Sequence, residues 1–188
     1  MDLMPVLKTG WLNGWIPLAI YFIGLMLSVS LFPKETRLWL FNNPKNENNK
    51  ILLHIRLTGQ FATIAFIGMM VFTPIKLHHP SFLIAAVIFA VGFGFEMSAL
   101  HSFRETPVNQ PVVKGLYRLS RNPQWVGLFL VLLGSAVSVG CWLYLAIVIL
   151  VGFIYHIQIL DEEALCKQKY GQDYLAYMKQ VRRYLLFF

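Results

Sequence analysis

Glu162 and Glu163 stand side by side just after a long apolar run, in the segment IQILDEEALCKQKYGQDYLAYMKQVRR from Ile157 to Arg183. On the other flank of that run lies VNQPVVKGLYRLSRNPQWVG, from Val108 to Gly127. Gly115 before Tyr117, and Asn122-Pro123 opening the next apolar stretch, predict a turn that exposes backbone groups beside a helix N-terminus. A carboxylate pair near such a turn, with aromatic side chains close by, suits a small cationic molecule. The spacing equally fits an ordinary charge cluster at a membrane exit beside a proline-started helix. A third carboxylate, Glu96, falls inside an apolar run, VGFGFEMSALHSF. A charge in hydrocarbon is expensive, so Glu96 requires a partner or an aqueous cavity. His101, five residues on, reads as a solvated or capping side chain near the interface.

The elements that must position these residues are membrane helices. Of the 188 residues 57% are hydrophobic and 13% charged, and the mean hydropathy is +0.58, too apolar for a soluble domain of this size. A crossing needs roughly 20 apolar residues. Candidate spans run from Trp15 to Phe32, ending at Pro33, from about Leu57 to Ile75, and from about Phe82 to Leu100. The run from Trp125 to Leu160 is too long for one crossing. GSAVSVG interrupts it, which predicts a helical hairpin with a tight turn near Ser138 to Gly140. From Asp161 the tail is polar, then amphipathic. The expected fold is therefore an all-α integral membrane bundle of about five transmembrane helices, one domain over 1–188, including a C-terminal hairpin.

The net charge of +7 does not point to nucleic acid, because the basic residues flank apolar runs; such charge reports orientation and contact with lipid headgroups. Lys34, Arg37, Lys45, Lys50, Arg56, Arg104, Lys114, Arg118, Arg121, Lys167, Lys169, Lys179, Arg182 and Arg183 fall on one side of five alternating spans; Lys8 and Lys76 fall on the other. This division predicts an external N-terminus and a cytoplasmic C-terminus. The first run follows few basic residues and ends without a small-residue cleavage site, so it reads as a retained helix. Leu38, Trp39, Leu40 and Phe41, before the Asn-rich NNPKNENNK loop, read as an interfacial anchor. Cys141 and Cys166 lie in separate segments without a histidine cluster and read as packing thiols, with no metal site.

GLYRLSRNPQWVG resembles the G-x-Y-x-x-x-R-H-P-x-Y-x-G signature of the isoprenylcysteine carboxyl methyltransferase family of membrane methyltransferases. DEEALCKQKYGQDYLAYMKQVRR resembles that family's second motif: paired glutamates, an aromatic-Gly pair, Y-x-x-Y, and a basic residue after Val. Together they cover about the last eighty residues. The resemblance implies an S-adenosyl-L-methionine pocket facing the cytoplasm, within approximately 101–188, and a lipophilic or prenylated acceptor entering from the membrane lipid. The carboxylate of an isoprenylated cysteine is one such acceptor. Carried over by position, Gln110, Pro111 and Val112 lie in the cofactor-contacting loop, Tyr117 and Pro123 match the motif tyrosine and proline, and Glu162 matches the glutamate that approaches the cofactor. Asn122 stands for the usual histidine and Trp125 for the usual tyrosine; an amide donor and an indole face both suit the cofactor. Gln158, four residues before Glu162, takes the place of the arginine that grips the substrate carboxylate in eukaryotic members. An anionic acceptor then needs another cation, such as Arg104 or Arg121. The proline expected after Val181-Arg182 is missing. Glu162 and Gln158 are the expected catalytic positions. Two other readings compete: a nicotinamide-dependent membrane reductase of the sterol-reductase type, usually longer with more spans, and a non-enzymatic membrane subunit.

Overall fold

The computed structural model describes residues 1–42 and 50–185, and for 39–42 the backbone alone. Among the described residues six α-helices follow in order: α1 Trp15–Ser30, α2 Lys34–Asn42, α3 Lys50–Val71, α4 Ser81–Arg104, α5 Pro123–Val139 and α6 Trp142–Gln180. A 3-10 turn, Gly115–Arg118, lies between α4 and α5. The all-α membrane bundle expected from the sequence is observed. Helices α3, α4 and α6 are long and apolar enough to cross a bilayer, whereas α1 and α5 are shorter apolar helices. At 1.5 Å per residue α1 and α5 measure about 24 and 26 Å, somewhat under the ~30 Å hydrocarbon core. Phe61, Ile64, Leu83, Ile84 and Phe153 are large, apolar and exposed, as lipid-facing side chains should be. The side chains of the anchor expected at Trp39, Leu40 and Phe41, and residues 43–49 of the Asn-rich stretch, lie outside the described residues.

Several boundaries differ from the sequence reading. Helix α3 begins at Lys50 and ends at Val71, where the span was expected from Leu57 to Ile75. Pro74 has no N–H and restricts Thr73, so the helix stops early. At its start nothing breaks the helix, and Arg56 stays in it by reaching Asp161 on α6 at 3.5 Å. Helix α4 runs four residues past Leu100, to Arg104, with His101 and Arg104 complementing the C-terminal dipole. The largest difference is α6. Its apolar part, Trp142 to Leu160, is the crossing, but the helix continues through the charged segment as far as Gln180, with a kink at Gly171 (φ 55°, ψ −127°). Only glycine adopts that backbone at low cost.

The hairpin turn falls where expected. Gly140 closes α5 in the left-handed conformation, φ 62°, a C-terminal stop that favours glycine. Around this turn one end of the bundle is stitched by backbone bonds. Asp2 donates to Gly140 O at 2.8 Å, Trp142 to Asp2 O at 2.9 Å, and Ile75 to Leu12 O at 2.9 Å. Asn13, almost fully buried, donates through Nδ2 to Lys8 O and Val71 O, and Lys76 Nζ meets Asp2 Oδ2 at 2.7 Å. The opposite end gathers Phe32 against Phe103, Arg56 against Asp161, and Arg121 N donating to Arg182 O at 2.8 Å. The helices therefore alternate in direction, and the segments carrying the fourteen basic residues, Lys45 aside as outside the description, share the second end.

Two packing features hold the bundle. Phe66, Met70, Leu132, Ala136, Val139, Tyr144, Val148 and Val151 form a buried core between α3, α5 and α6, sealed at the stitched end by the Thr73–Tyr144 hydroxyl pair at 2.6 Å. Helices α4 and α5 touch backbone to backbone. A Cβ on Gly127 would lie 2.7 Å from Glu96 N, and one on Gly134 would lie 2.6 Å from Phe89 N. Close approach of small residues is how helices associate where lipid offers no hydrophobic drive.

Candidate active site

The second end of the bundle is organised around Glu163, whose side chain is 3% exposed. Arg121 Nε and Asn122 Nδ2 donate to Oε1 at 3.1 and 2.9 Å, and Arg183 Nε donates to Oε2 at 3.1 Å. Arg121 Nη1 also donates to Met178 O and Val181 O at 3.0 and 2.9 Å, and Ser120 Oγ donates to Arg183 O at 2.9 Å. A buried carboxylate is tolerable because it is so fully paired. This cluster folds the post-kink segment of α6 and the tail back onto the loop before α5. One sequence expectation is corrected here. Arg121 is engaged with Glu163 and two backbone carbonyls and is not a cation free for an acceptor. The Asn122 amide points to Glu163, and α5 has no side-chain cap.

The neighbouring carboxylate faces elsewhere. Glu162 is exposed, and its Oε2 accepts the Trp125 indole N–H at 3.1 Å. Trp125 in turn lies 4.8 Å from the Tyr155 ring, centroid to centroid. Tyr155, Gln158, Glu162, Cys166 and Lys169 recur at helical spacing and share one face of α6. Tyr155 OH pairs with Thr63 Oγ1 on α3 at 2.7 Å, and Lys169 Nζ donates to Val108 O at 3.1 Å, which brings the loop before the 3-10 turn to this face. Burial pushes the Cys166 thiol up to about 11, with Glu162 adding to it. Gln158 is one turn deeper than Glu162, beside Gly59 of α3, and its Nε2 is buried without a hydrogen-bond partner among the described residues.

Tyr117 is buried. Its hydroxyl donates to Gln124 Oε1 at 2.9 Å and its carbonyl accepts from Tyr177 OH at 2.6 Å. Burial pushes the Tyr117 hydroxyl well above the usual phenol range. Pro123 is fully buried at the first turn of α5. The structure thus gathers Tyr117, Asn122, Pro123, Trp125, Gln158 and Glu162 in one region. It does not draw Gln110, Pro111 and Val112 into it by any described hydrogen bond: Gln110 is exposed, and Pro111 and Val112 are half-buried. His101 is exposed, 3.4 Å from Glu105, as a solvated side chain.

The partner of Glu96 and an apolar groove were not legible in the sequence. Glu96 is buried, with Tyr21 OH donating to Oε1 at 2.8 Å while Oε2 has no hydrogen-bond partner among the described residues. The sequence called for a partner to Glu96 but could not single out one tyrosine on α1. The groove, of about 730 Å³, lies between α5, α6 and the tail and is lined by Trp125, Phe129, Phe153, His156, Ile159 and Arg183 among others. Along it His156 Nδ1 and Tyr184 OH lie 2.7 Å apart. Its two walls each carry apolar residues that the sequence presents only as generic membrane-helix side chains.

A family model described as phospholipid methyltransferase matches residues 80–173, half of the 188-residue chain. The matched stretch takes in α4, the loop, α5 and α6 as far as Asp173. No curated protein and no solved structure gives a significant match.

Proposed function

This chain belongs to the phospholipid methyltransferase family of integral membrane methyltransferases, and from that premise we propose that it uses S-adenosylmethionine to methylate a lipophilic acceptor. The observation that carries the reading is the meeting of Trp125, Glu162 and the N-terminus of α5 at one end of the bundle, within the matched residues. These groups fit the cofactor's chemistry. Trp125 and Tyr155 offer ring faces to a cation. Glu162 offers a carboxylate for ammonium or hydroxyl groups. The first turn of α5, left uncapped by the Asn122 side chain, offers backbone amides to an anion. When bound, S-adenosylmethionine supplies an electrophilic methyl group.

The protein's own share is positioning and exclusion of water. The Glu163 cluster and the buried Tyr117–Tyr177 contact hold the loop, α6 and the tail together over the site. The groove leads from the lipid-facing side chains of α5 and α6 to Trp125, and suits the apolar chain of an acceptor. Gln158 is neutral, and both Arg121 and the groove-lining Arg183 are paired with Glu163, so an anionic headgroup meets no uncommitted cation from these residues. The charge division supports a cytoplasmic site end, where the soluble cofactor has access while the acceptor arrives through the bilayer. Neither a nicotinamide-dependent reductase nor a non-enzymatic subunit has a feature here that favours it.

The test is methyl transfer from radiolabelled S-adenosylmethionine into membrane lipid extract and into a farnesylated cysteine analogue, comparing wild type with Gln158→Arg. Label in the lipid extract is expected, with the analogue methylated poorly by the wild type and better by the variant. Folded protein that labels no lipophilic acceptor contradicts the proposal.

A further inference from the structure

Neither the packing nor the Glu163 cluster accounts for Glu96. It lies eight residues before the end of α4, about 12 Å along the helix axis, and is only 7% exposed. Tyr21 of α1 satisfies one oxygen; the other is buried and, among the described residues, bare. Among the described residues no Lys, Arg or His forms an ion pair with it, and α5 presents Gly127, which has no side chain. A buried carboxylate with half its hydrogen-bonding capacity unmet is costly, and a purely structural carboxylate would be expected to recruit a second donor, as Glu163 does.

Its position relates it to the candidate active site. Gly127, packed on Glu96, is one helical turn into α5, two residues after Trp125. Trp125 contacts Tyr155 and bonds Glu162. Glu96 and Glu162 therefore both adjoin the first five residues of α5, one at Gly127 and the other at Trp125.

We propose that Glu96, held by Tyr21, forms the membrane-side floor of the active site and that its bare oxygen receives a cationic group of a bound molecule. This rests on the methyltransferase reading above. The cation has two possible carriers, the cofactor and the acceptor headgroup, and binding measurements separate them. Glu96→Gln keeps the shape and the Tyr21 contact while removing the charge. Loss of one buried charge contact should weaken binding roughly tenfold or more.

The experiment measures affinity for S-adenosylmethionine and for S-adenosylhomocysteine, which lacks the sulfonium charge, together with the acceptor KM, on purified wild type, Glu96→Gln and Tyr21→Phe. Weakened binding of S-adenosylmethionine alone identifies the sulfonium. Equal weakening of both identifies the ammonium they share, and a raised acceptor KM with unchanged cofactor binding identifies the acceptor. Tyr21→Phe, which leaves the carboxylate in place, should move the same readout in the same direction by about threefold, and serves if Glu96→Gln does not fold. Variants that match the wild type in all three readouts overturn the proposal while leaving the methyltransferase reading intact. A folded wild type that binds neither ligand overturns both.

Discussion

Trp125 donates its indole N–H to Glu162 Oε2 across 3.1 Å, joining the first turn of α5 to the charged part of α6. The adjacent Glu163 is turned into a closed cluster with Arg121, Asn122 and Arg183. Two consecutive glutamates therefore have separate tasks. About 100° of helical rotation per residue puts one on the site face and the other in the packing.

This division predicts that Glu162→Gln affects binding and not folding. The amide keeps an acceptor for Trp125 but loses the charge, so S-adenosylmethionine should bind roughly tenfold more weakly or worse. The melting temperature in detergent should stay within about 2 °C of the wild type. Unchanged affinity would remove Glu162 from the site.

Arg121→Met should do the opposite. It leaves Glu163 buried with its strongest partner gone, a loss on the order of 3–5 kcal/mol for a broken buried pair, and frees the carbonyls of Met178 and Val181. Limited trypsin digestion should then cut at Lys179 or Arg182 much faster than in the wild type, whereas Arg183→Met, at a half-buried position, should give a smaller effect. Equal protection of both variants and wild type would show that the cluster does not hold the tail.

Cys166 offers a pH test of how tightly this end is closed. Burial raises its thiol to about 11, and the thiolate is the reactive form. At pH 8 only about one thiol in a thousand is then ionised, against roughly one in four for an ordinary cysteine. In a Cys141→Ala background, alkylation should be slow at pH 8 and rise about tenfold per pH unit until near pH 11. A rate that levels off below pH 9 contradicts the closed arrangement.

Orientation is open to single-cysteine labelling in intact cells. The basic-residue division predicts that an impermeant reagent misses cysteines placed at Lys34 or Gln110 and reaches one placed at Leu7. Strong external labelling at Gln110 would invert the topology.

Much of this architecture was legible in the sequence, because bilayer thickness turns apolar run length directly into helices. Pro33 and Gly140 marked stops through backbone chemistry alone, whereas the stop imposed by Pro74 was passed over. The extension of α6 to Gln180 was not legible, since its charged half has no hydrophobic run and gains its order from the Glu163 cluster. The motif residues Tyr117, Pro123, Trp125 and Glu162 do meet. Local sequence, however, could not reveal that Asn122 and Arg121 are committed to Glu163, because those partners lie 41 and 42 residues away. The Tyr21–Glu96 bond, spanning 75 residues, was hidden for the same reason.

Calorimetric titration of the purified protein with S-adenosylhomocysteine reads directly whether this end of the bundle binds the methyl-donor cofactor. A saturable isotherm with one site per chain is expected, weakened by Glu162→Gln and accompanied by a rise in melting temperature at saturating ligand. A folded, monodisperse protein that shows neither heat of binding nor thermal stabilisation at millimolar ligand would contradict cofactor binding at this end.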